Sequence, residues 1–542
     1  MASNENNKDT FEAKLDEIGD YITVCPWELD RSGVYQMKTA RNGKGEYKEV
    51  ASPIPVVPTA ILENVDTRTE KVELAFFKHG AWRSLVADRS ITASRNNIVR
   101  LADKGLEVNT DNAALLVKYI AEVVASSLPT MPHKPAKSVL GWVDGEFMPY
   151  TDAVAFDGED QFKHLYKAVA QKGKLSEWVE FMRPLRKNLE LRLCMAASFA
   201  SPLIEVVGEN PFVFHLWGGT GAGKTVALMV AMSIWGNPAM GAMTRTMNMT
   251  ANSMLSTAAF LRNLPFAGDE LQTIKSRWNN YDNLIMCITE GIDRGRMSYD
   301  KVNELRSWKC SFLFSGEEPC IKQSSGGGAK NRVIEVECKD RLVESGNAVA
   351  NFVRSNYGTA GCNFIDYIKW ADLSQLYSDT FSSILSQTDT TDKQAGAMAL
   401  MMAADCIASG LFWSEEPVLT VSDVQPYLCS AVEVDVAERA YSYVLGEIAK
   451  NNAKFSDNDR EVWGRISVDT VLINRGVLDD IMTSKGFEFD AVKSKWRDKG
   501  YLIPNSQGKL VHWTHCSGIK AIYIKLKLPV SEEEAKQELP FV

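Results

Sequence analysis

A glycine-rich run that ends in a lysine and a threonine is the part of the sequence best suited to chemistry. It reads GGTGAGKT, follows an apolar run at residues 211–217 and opens a helical pattern at residues 224–235. Glycines in this context let the backbone curl so that successive N–H groups face a phosphate, and the helix start adds the positive end of its dipole. Lys224 is expected to reach the β- and γ-phosphates of a nucleoside triphosphate, and the Thr225 hydroxyl to ligate Mg²⁺. The residues predicted to bind ATP are Gly218, Gly219, Thr220, Gly221, Ala222, Gly223, Lys224 and Thr225.

An acidic pair, Asp269 and Glu270, closes the apolar run at residues 264–267. Two carboxylates at the end of a strand can divide two tasks between them. We expect Asp269 to hold the Mg²⁺ shell and Glu270 to polarise the attacking water in line with the γ-phosphate. Gly268, directly before the pair, is unusual there and leaves the identity of the metal ligand open. The sequence therefore predicts hydrolysis of ATP as well as binding.

Two polar residues further along complete the predicted catalytic set of Lys224, Glu270, Ser315 and Arg332. Ser315 ends the apolar run at residues 312–314 and is a candidate sensor of the γ-phosphate; the alternative is an ordinary strand-ending turn. Arg332 follows the loop SSGGGAKN and precedes a strand pattern. A guanidinium fork there could reach the γ-phosphate of a neighbouring subunit, or could form a surface ion pair.

Two basic segments are candidates for contact with nucleic acid. The segment at residues 290–309 reads as a hairpin inserted in the core, and its cations Arg294, Arg296 and Lys301 could grip a phosphate backbone; the alternative is a solvated loop. The second segment surrounds Trp496 near the C-terminus and serves either a nucleic-acid backbone or packing. Its cations are Lys493, Lys495, Arg497 and Lys499.

The composition of the whole chain is that of an ordinary globular protein. Its 542 residues suggest about two to four domains. The net charge of −9 argues against a protein that coats nucleic acid through its overall charge, but it permits a local basic groove. No apolar segment follows a basic start at the N-terminus, and the apolar stretch at residues 395–413 contains Asp405. We therefore expect a core helix at this stretch, no membrane association and a cytoplasmic protein.

Alternating strand and helix patterns predict an α/β fold with a parallel sheet. Three prolines predict a linker at residues 127–142, and apolar periodicity predicts one long helix at residues 188–207. Two short helices followed by a hairpin near the C-terminus predict a winged helix. The expected segments are residues 1–130 (an N-terminal β-rich region plus a helix), 131–207 (a mixed α+β segment), 208–372 (the ATPase core), 373–452 (a helical lid), 453–530 (the winged helix) and 531–542 (an acidic tail).

The order of these motifs resembles that of the AAA+ ATPases of prophages and mobile elements. These include the helicases of staphylococcal cassette elements and are similar to the minichromosome-maintenance (MCM) replicative helicases. The shared order is a strand with GGTGAGKT, a Gly-Asp-Glu strand, a basic hairpin, a Ser-Gly-Glu strand and a glycine-rich loop before Asn331 and Arg332. The phrases AKSVLGWVDGEFMPY, NYGTAG and WGRI also look like that family. The resemblance runs from about Lys137 to the end of the predicted winged helix, and the N-terminal part matches weakly.

The resemblance implies an AAA+ P-loop core in a hexameric ring, with ATP sites at subunit interfaces that the neighbour's Arg332 completes. The expected cofactors are ATP and Mg²⁺, and the expected partners are further copies of the chain and single-stranded or forked DNA. The arginine that the lid of such ATPases supplies stays open between Arg354 and Arg439. The end of the chain, Leu539-Pro540-Phe541, is similar to the acidic ends of bacterial single-strand-binding proteins, although Val542 departs from that pattern. Replication proteins are therefore candidate partners of the tail.

Two other functions fit the same motifs. An initiator or assembly switch would bind DNA in its ATP state without translocating. An ATPase of host-defence signalling would need an effector domain, which is not obvious in the sequence.

Overall fold

The structure, a computed structural model, describes residues 10–18, 24–40, 45–274, 281–293, 306–322, 325–456, 461–516 and 519–529. The chain divides into two compact units, Met1–Lys167 and Ala168–Val542. The bounds of the six predicted segments stay predictions.

The first unit is built on antiparallel and mixed sheets, as its short β-rich runs predicted. A five-stranded sheet has the order β10-β7-β4-β5-β6, and a three-stranded sheet has the order β1-β2-β3. The apolar face of α3 packs into the core of this unit through Leu116, Tyr119 and Val123. The strands are β1 (Trp27–Asp30), β2 (Gly33–Thr39), β3 (Glu46–Ser52), β4 (Val56–Asn64), β5 (Glu70–Lys78), β6 (Ala81–Asp88), β7 (His133–Lys137), β8 (Gly141–Val143), β9 (Glu146–Met148) and β10 (Ala155–Phe156). The helices are α1 (Thr10–Ile18), α2 (Arg89–Thr92), α3 (Ala113–Ser127) and α4 (Lys163–Ala168), which ends at the boundary.

The predicted linker at residues 127–142 is wrong, because this stretch contains β7, which pairs in parallel with β4. Prolines do not prevent this pairing, since a proline lacks only the donor and its carbonyl still accepts. Pro132 accepts a hydrogen bond from the Ile61 N–H at 3.0 Å. Ala136 and Lys137 are buried, so the second half of β7 belongs to the core of the sheet.

The second unit contains the predicted parallel sheet, with the order β12-β13-β14-β11-β15. Every pair of neighbouring strands in it is parallel, and β11 lies between β14 and β15. Such a strand is covered on both faces, which explains the continuous apolar run that encodes it. The strands are β11 (Phe212–Trp217), β12 (Thr244–Thr246), β13 (Phe266–Asp269), β14 (Ser311–Gly316) and β15 (Val333–Glu337).

The described helices of the second unit run from Leu175 to Asp498. The predicted helix at residues 188–207 is wrong as a single element, because it ends at Phe199 and resumes at Leu203 beyond Pro202. The helices are α5 (Leu175–Leu185), α6 (Leu189–Phe199), α7 (Leu203–Val206), α8 (Lys224–Ser233), α9 (Ala251–Leu261), α10 (Tyr281–Thr289), α11 (Gly327–Lys330), α12 (Gly346–Val353), α13 (Thr359–Ile368), α14 (Leu373–Gln387), α15 (Asp392–Phe412), α16 (Val421–Val424), α17 (Ala431–Val434), α18 (Val436–Lys450), α19 (Arg475–Thr483) and α20 (Phe489–Asp498).

Helix α15 is long and apolar enough to cross a membrane, but 78% of its apolar window is buried inside the protein. Its one central charge, Asp405, is also buried. The Asp405 carboxylate accepts a hydrogen bond from Arg192 at 3.0 Å and forms an ion pair with Arg186 at 3.2 Å. A charge buried in this way is tolerated because it is paired. This is the packing of the predicted core helix.

The C-terminal part contains both predicted helices, α19 and α20, and the hairpin that follows them. The sheet beside the helices has the order β16-β17-β19-β18, and its neighbouring strands are antiparallel. Its strands are β16 (Gly464–Ile466), β17 (Thr470–Asn474), β18 (Val511–Cys516) and β19 (Ile519–Lys527).

Candidate nucleotide site

The GGTGAGKT loop connects the end of β11 to the start of α8, the context that the sequence predicted. Gly218, Gly221 and Gly223 have φ angles of 147°, 87° and 90°, which favour glycine. A Cβ atom at Gly218 would also lie 2.7 Å from the carbonyl oxygen of Cys338. The sequence therefore places glycine where the turn needs left-handed backbone and where a neighbouring strand end comes close.

Lys224 folds back over the loop. Its Nζ donates hydrogen bonds to the carbonyl oxygens of Gly218 and Gly219, both at 2.8 Å. The ammonium group is thereby held above the curl of the loop, next to the first turn of α8. A phosphate in the loop would find this cation within reach and could replace the two carbonyl oxygens as its partner.

Thr225, in the first turn of α8, meets Asp269 and Ser315 at the carboxyl ends of β13 and β14. The Thr225 hydroxyl donates to the Asp269 carboxylate at 2.9 Å, and Ser315 Oγ donates to the other carboxylate oxygen. Asp269 and Ser315 are almost fully buried. Gly268 is explained by the packing beside this cluster, since a Cβ there would lie 2.2 Å from Met247 Sδ. The three predicted residues therefore form one hydrogen-bonded cluster of oxygen atoms, the donor type that Mg²⁺ prefers.

Glu270 follows directly and takes a different conformation. Its φ angle of 61° is uncommon for a residue other than glycine, and its N–H points to Ser315 Oγ at 3.4 Å. The side chain is exposed. Unusual backbone of this kind concentrates at functional sites, since surrounding structure must hold it in place. Here it turns Glu270 away from the strand while Asp269 stays in the buried cluster.

Eight of the predicted residues line one open cleft of about 290 Å³: Thr220, Gly221, Gly223, Lys224, Thr225, Asp269, Glu270 and Ser315. The cleft is also lined by two polar side chains that the sequence analysis did not predict, Gln272 and Glu317. Glu317 accepts a hydrogen bond from the Thr220 hydroxyl at 2.9 Å and so ties the loop to the end of β14. Glu317 could have been suspected from the Ser-Gly-Glu phrase, whereas Gln272 has no signal in the sequence.

A second polar cluster lies behind the loop strand. His215 of β11 faces Glu335 of β15, with Nδ1 and the carboxylate 3.2 Å apart, and the Cys320 N–H donates to the same carboxylate at 2.7 Å. Burial raises the pKa of Glu335. The hydrogen bond and electrostatic attraction to His215, together with the contacts to Cys320 and the Ile321 N–H, outweigh burial and lower the pKa of Glu335. The side chains of His215, Cys320 and Glu335 lie close enough to share a metal ion. Since Glu335 is already satisfied by the hydrogen bonds, the cluster is explained as a network that joins two neighbouring strands.

Arg332 is not brought to this cleft. It directly precedes β15, and its carbonyl accepts from Val213 N–H at the start of β11, so it lies at the opposite end of the parallel sheet. Its Nη1 donates to the carbonyl oxygen of Gly328 at 2.8 Å. The side chain lines a different cavity, which includes Glu209 and Lys393.

Other predicted site residues are not placed in the cleft. Arg294, Arg296 and Lys301 lie outside the described residues, as does the tail at residues 531–542. Neither candidate for the lid arginine is among the described residues that line the cleft: Arg354 donates to Asn351, and Arg439 donates to the carbonyl oxygen of Ser325 at 2.6 Å.

Comparison with solved structures shows the fold. A structure titled "SCCmec type IV Cch – active helicase" is similar over 95% of this chain and 98% of its own, with a TM-score of 0.73 and 17% sequence identity. The apo C-terminal region of NrS-1 aligns with 68% of this chain and 90% of its own, with a TM-score of 0.27 and 10% identity. No curated protein matches the chain in sequence.

Two protein families match parts of the sequence. The Cch helix-turn-helix domain matches residues 435–531, which include α19, α20 and the β18–β19 hairpin. A family described as a domain of unknown function, DUF927, matches residues 27–308, just over half of the chain. The chain therefore belongs to the DUF927 family, and its fold is that of the Cch helicase structure.

Proposed function

We propose that the chain is an ATP-dependent DNA helicase of the AAA+ class, similar to MCM helicases, that serves replication of a phage or mobile element. The observation that carries this proposal is the cluster of Thr225, Asp269 and Ser315 beside the lysine-bearing loop. A phosphate loop alone fits many proteins. A buried carboxylate hydrogen-bonded to the loop threonine adds the second Mg²⁺ ligand that a P-loop ATPase uses, and this supports hydrolysis as well as binding.

The residues present fit ATP and Mg²⁺. Thr225 and Asp269 offer the hard oxygen atoms for the ion, which would supply positive charge to the β- and γ-phosphates. The loop N–H groups and Lys224 would bind the phosphates. Glu270, exposed at the rim of the cluster, would accept a proton from the attacking water.

The sheet order supports the role of Ser315 as a sensor. Strand β14 lies between β11, which leads to the loop, and β13, which carries the acidic pair. A polar side chain at the end of β14 therefore lies between Lys224 and Glu270. Its hydroxyl already contacts Asp269, so a change at the γ-phosphate would reach the buried carboxylate through one hydrogen bond.

The position of Arg332 supports a ring. Since Arg332 lies at the end of the sheet opposite its own loop, a role at the γ-phosphate requires the nucleotide of another subunit. In the proposed homohexamer each Arg332 completes the neighbour's site. Arg294, Arg296 and Lys301 would line the channel and track single-stranded DNA, the C-terminal module would be a winged helix, and the tail would contact replication proteins.

ATP hydrolysis and strand separation test the proposal together. Lys224→Ala should lose ATP binding, and Glu270→Gln should keep binding but lose hydrolysis, because only the first removes a phosphate ligand. Both variants should fail to unwind a forked duplex. Glu415→Gln, a change of the same kind at an exposed residue away from the cleft, should behave as the wild type. ATP hydrolysis that DNA does not stimulate, with no unwinding, would refute the helicase.

Mixing two inactive variants tests the shared site. Arg332→Ala is expected to lower the rate by about 10³–10⁵, as loss of such an arginine does. An Arg332→Ala subunit keeps its loop, and a Lys224→Ala subunit keeps its arginine, so a mixture should recover ATPase activity at mixed interfaces. Native mass with an ATP analogue and single-stranded DNA should show a six-fold species. No recovery in the mixture and a monomeric mass would refute the ring.

A second candidate is an ATP-dependent initiator or assembly switch that binds DNA without translocating. The match of residues 435–531 to a helix-turn-helix domain favours it, since such a domain can hold duplex DNA without any motor. Charge reversal at Arg294 and Arg296 separates the two candidates. It should abolish unwinding by a helicase and leave duplex binding by a switch intact.

A further inference from the structure

We propose that the β18–β19 hairpin, and not helix α20, is the surface of the C-terminal module that binds nucleic acid, and that it takes unpaired bases of a single strand. The residues that carry this surface are Trp513, His515 and Lys520. Neither the activity proposed above nor the match to a helix-turn-helix domain assigns it, and it does not require ATP hydrolysis.

The exposed side of helix α20 presents no unpaired cation to a phosphate backbone. Its inner face is buried, and Trp496 is fully buried with its Nε1 donating to the Ala437 carbonyl oxygen at 2.8 Å. Its cations are each paired with a carboxylate: Lys493 with Asp490 at 2.8 Å, Lys495 with Asp435 at 3.7 Å, Arg497 with Asp498 at 3.2 Å, and Lys499 with Asp435 at 2.9 Å. Phosphates would have to displace these carboxylates and would meet their negative charge.

The pairing is strongest at the end of α20. Lys499 also contacts Glu438, and the hydrogen bonds to Glu438 and Asp435 raise the pKa of the Lys499 ammonium group. Arg475, at the start of α19, bonds to Asp479 at 2.7 Å and lies over the ring of Phe489. Cations that are held so firmly stabilise the module and are not free for a ligand.

The β18–β19 hairpin, in contrast to α20, exposes an aromatic side chain and a lysine that lies in no ion pair among the described residues. Trp513 is 64% exposed, and His515 and Lys520 are exposed. In the described part of the chain, no carboxylate forms an ion pair with the lysines of the hairpin and of the turn before it, which are Lys509, Lys520, Lys525 and Lys527. This excess of free cations stands out in a chain with a net charge of −9.

The register of the strands brings the aromatic ring and the cation together. His515 is opposite Lys520 and Trp513 is opposite Ile522, so all four side chains are on one face of the hairpin. The same face is buried at its base, where Ile524 belongs to the core. The hairpin therefore extends past its own core and presents an aromatic ring beside a lysine.

The chemistry of this surface selects single-stranded nucleic acid. An exposed tryptophan gives a stacking platform for a base, and free lysines attract the phosphates on either side. A base can stack on the ring only when it is not already paired and stacked in a duplex. Tryptophan is also enriched at protein–protein interfaces, but lysine is depleted there, so the lysines of the hairpin favour nucleic acid over a protein partner.

Binding of the full-length chain to three labelled probes, without nucleotide, tests the proposal. The probes are an oligothymidylate, an abasic strand of the same length and a blunt duplex, and the readout is fluorescence anisotropy. Trp513→Ala should weaken binding to the oligothymidylate by about 5- to 150-fold, the range for one stacked base, and leave the abasic strand unchanged. Trp513→Phe should recover most of the affinity. Lys520→Ala should weaken binding to both strands and reduce the slope of log K against log salt by about 0.7.

The chain offers matched controls for both changes. Trp370 is 89% exposed in the turn after α13, and Trp370→Ala should leave affinity for all three probes unchanged. Lys493→Ala on α20 should also have no effect. Equal affinity of Trp513→Ala and wild type for the oligothymidylate, or a larger loss with Lys493→Ala than with Lys520→Ala, would overturn the proposal. Because no nucleotide is present, these results do not depend on whether the chain hydrolyses ATP or unwinds DNA.

Discussion

The buried charges of helix α15 allow a prediction of stability from the structure. The Asp405 side chain is 0% exposed, and its partners Arg186 and Arg192 are 1% and 11% exposed. Removing one partner of a buried ion pair costs about 3–5 kcal/mol, because the other charge stays buried without compensation. Asp405→Ala leaves two arginines without their shared carboxylate.

The lower end of this range is expected here. Arg186 keeps its contacts with Glu416 at 3.2 Å and with the Ser409 hydroxyl at 2.7 Å, so its buried charge still has partners. Burial lowers the pKa of Arg186, and the charge of Asp405 opposes that shift. We therefore expect Asp405→Ala to lower the free energy of unfolding by about 3 kcal/mol.

Urea unfolding followed by near-UV circular dichroism measures this loss. The guanidinium of Arg186 lies 4.0 Å from the centre of the Trp413 ring, so one of the aromatic side chains that contribute to the near-UV signal lies beside the pair. Asp392→Ala is the matched control, since it removes an exposed carboxylate from the first turn of the same helix. It should cost about 0.3–1 kcal/mol through the helix dipole. A loss for Asp405→Ala no larger than that of the control would refute the reasoning.

Three further predictions concern the cleft and the sheet. Ser315→Ala removes a hydrogen bond to the buried Asp269, which keeps its bond from Thr225, and should lower the ATPase rate measured by phosphate release. A loss of about 10- to 150-fold is expected, which corresponds to the roughly 1.5–3 kcal/mol of one hydrogen bond to a charged group. A wild-type rate would show that the bond has no role. Gly218→Ala should abolish nucleotide binding measured by calorimetry, since φ is 147° and the added methyl would lie 2.7 Å from the Cys338 oxygen. Glu335 has a lowered pKa, so its contribution to stability is present above its ordinary value of 4.5 and is lost as pH falls through the lower folded value. The difference in thermal midpoint between wild type and Glu335→Gln should therefore shrink below pH 4.5, and a difference that grows there would contradict this account.

Local sequence was sufficient for the features that depend on local backbone. The left-handed φ angles of Gly218, Gly221 and Gly223 need glycine, and this requirement made the loop visible in the sequence. The apolar patterns likewise gave α8 and four of the five strands of the parallel sheet, but not the three-residue strand β12. Periodicity did not predict the end of α6, because a single residue, Pro202, divides the helix expected at residues 188–207.

Contacts between distant residues could not be read in the same way. The bond of Ser315 to Asp269 joins residues 46 apart, and the contact of His215 with Glu335 joins residues 120 apart. Both depend on the order in which the strands lie in the sheet, which differs from their order in the chain. The pattern of apolar residues determines that a segment is a buried strand, but not which strand lies next to it.

The cations of the C-terminal module also show what the sequence determines and what only the fold determines. The sequence determined that basic residues surround a helix with a tryptophan and that a hairpin follows. Only the tertiary structure decided which cations are free. Asp435 at the start of α18 and Glu438 within it pair with Lys499, directly after α20 and more than 60 residues away. Charge is a property of the residue, whereas its neutralisation is a property of the fold, since it depends on which carboxylates the packing of the helices brings within hydrogen-bond distance.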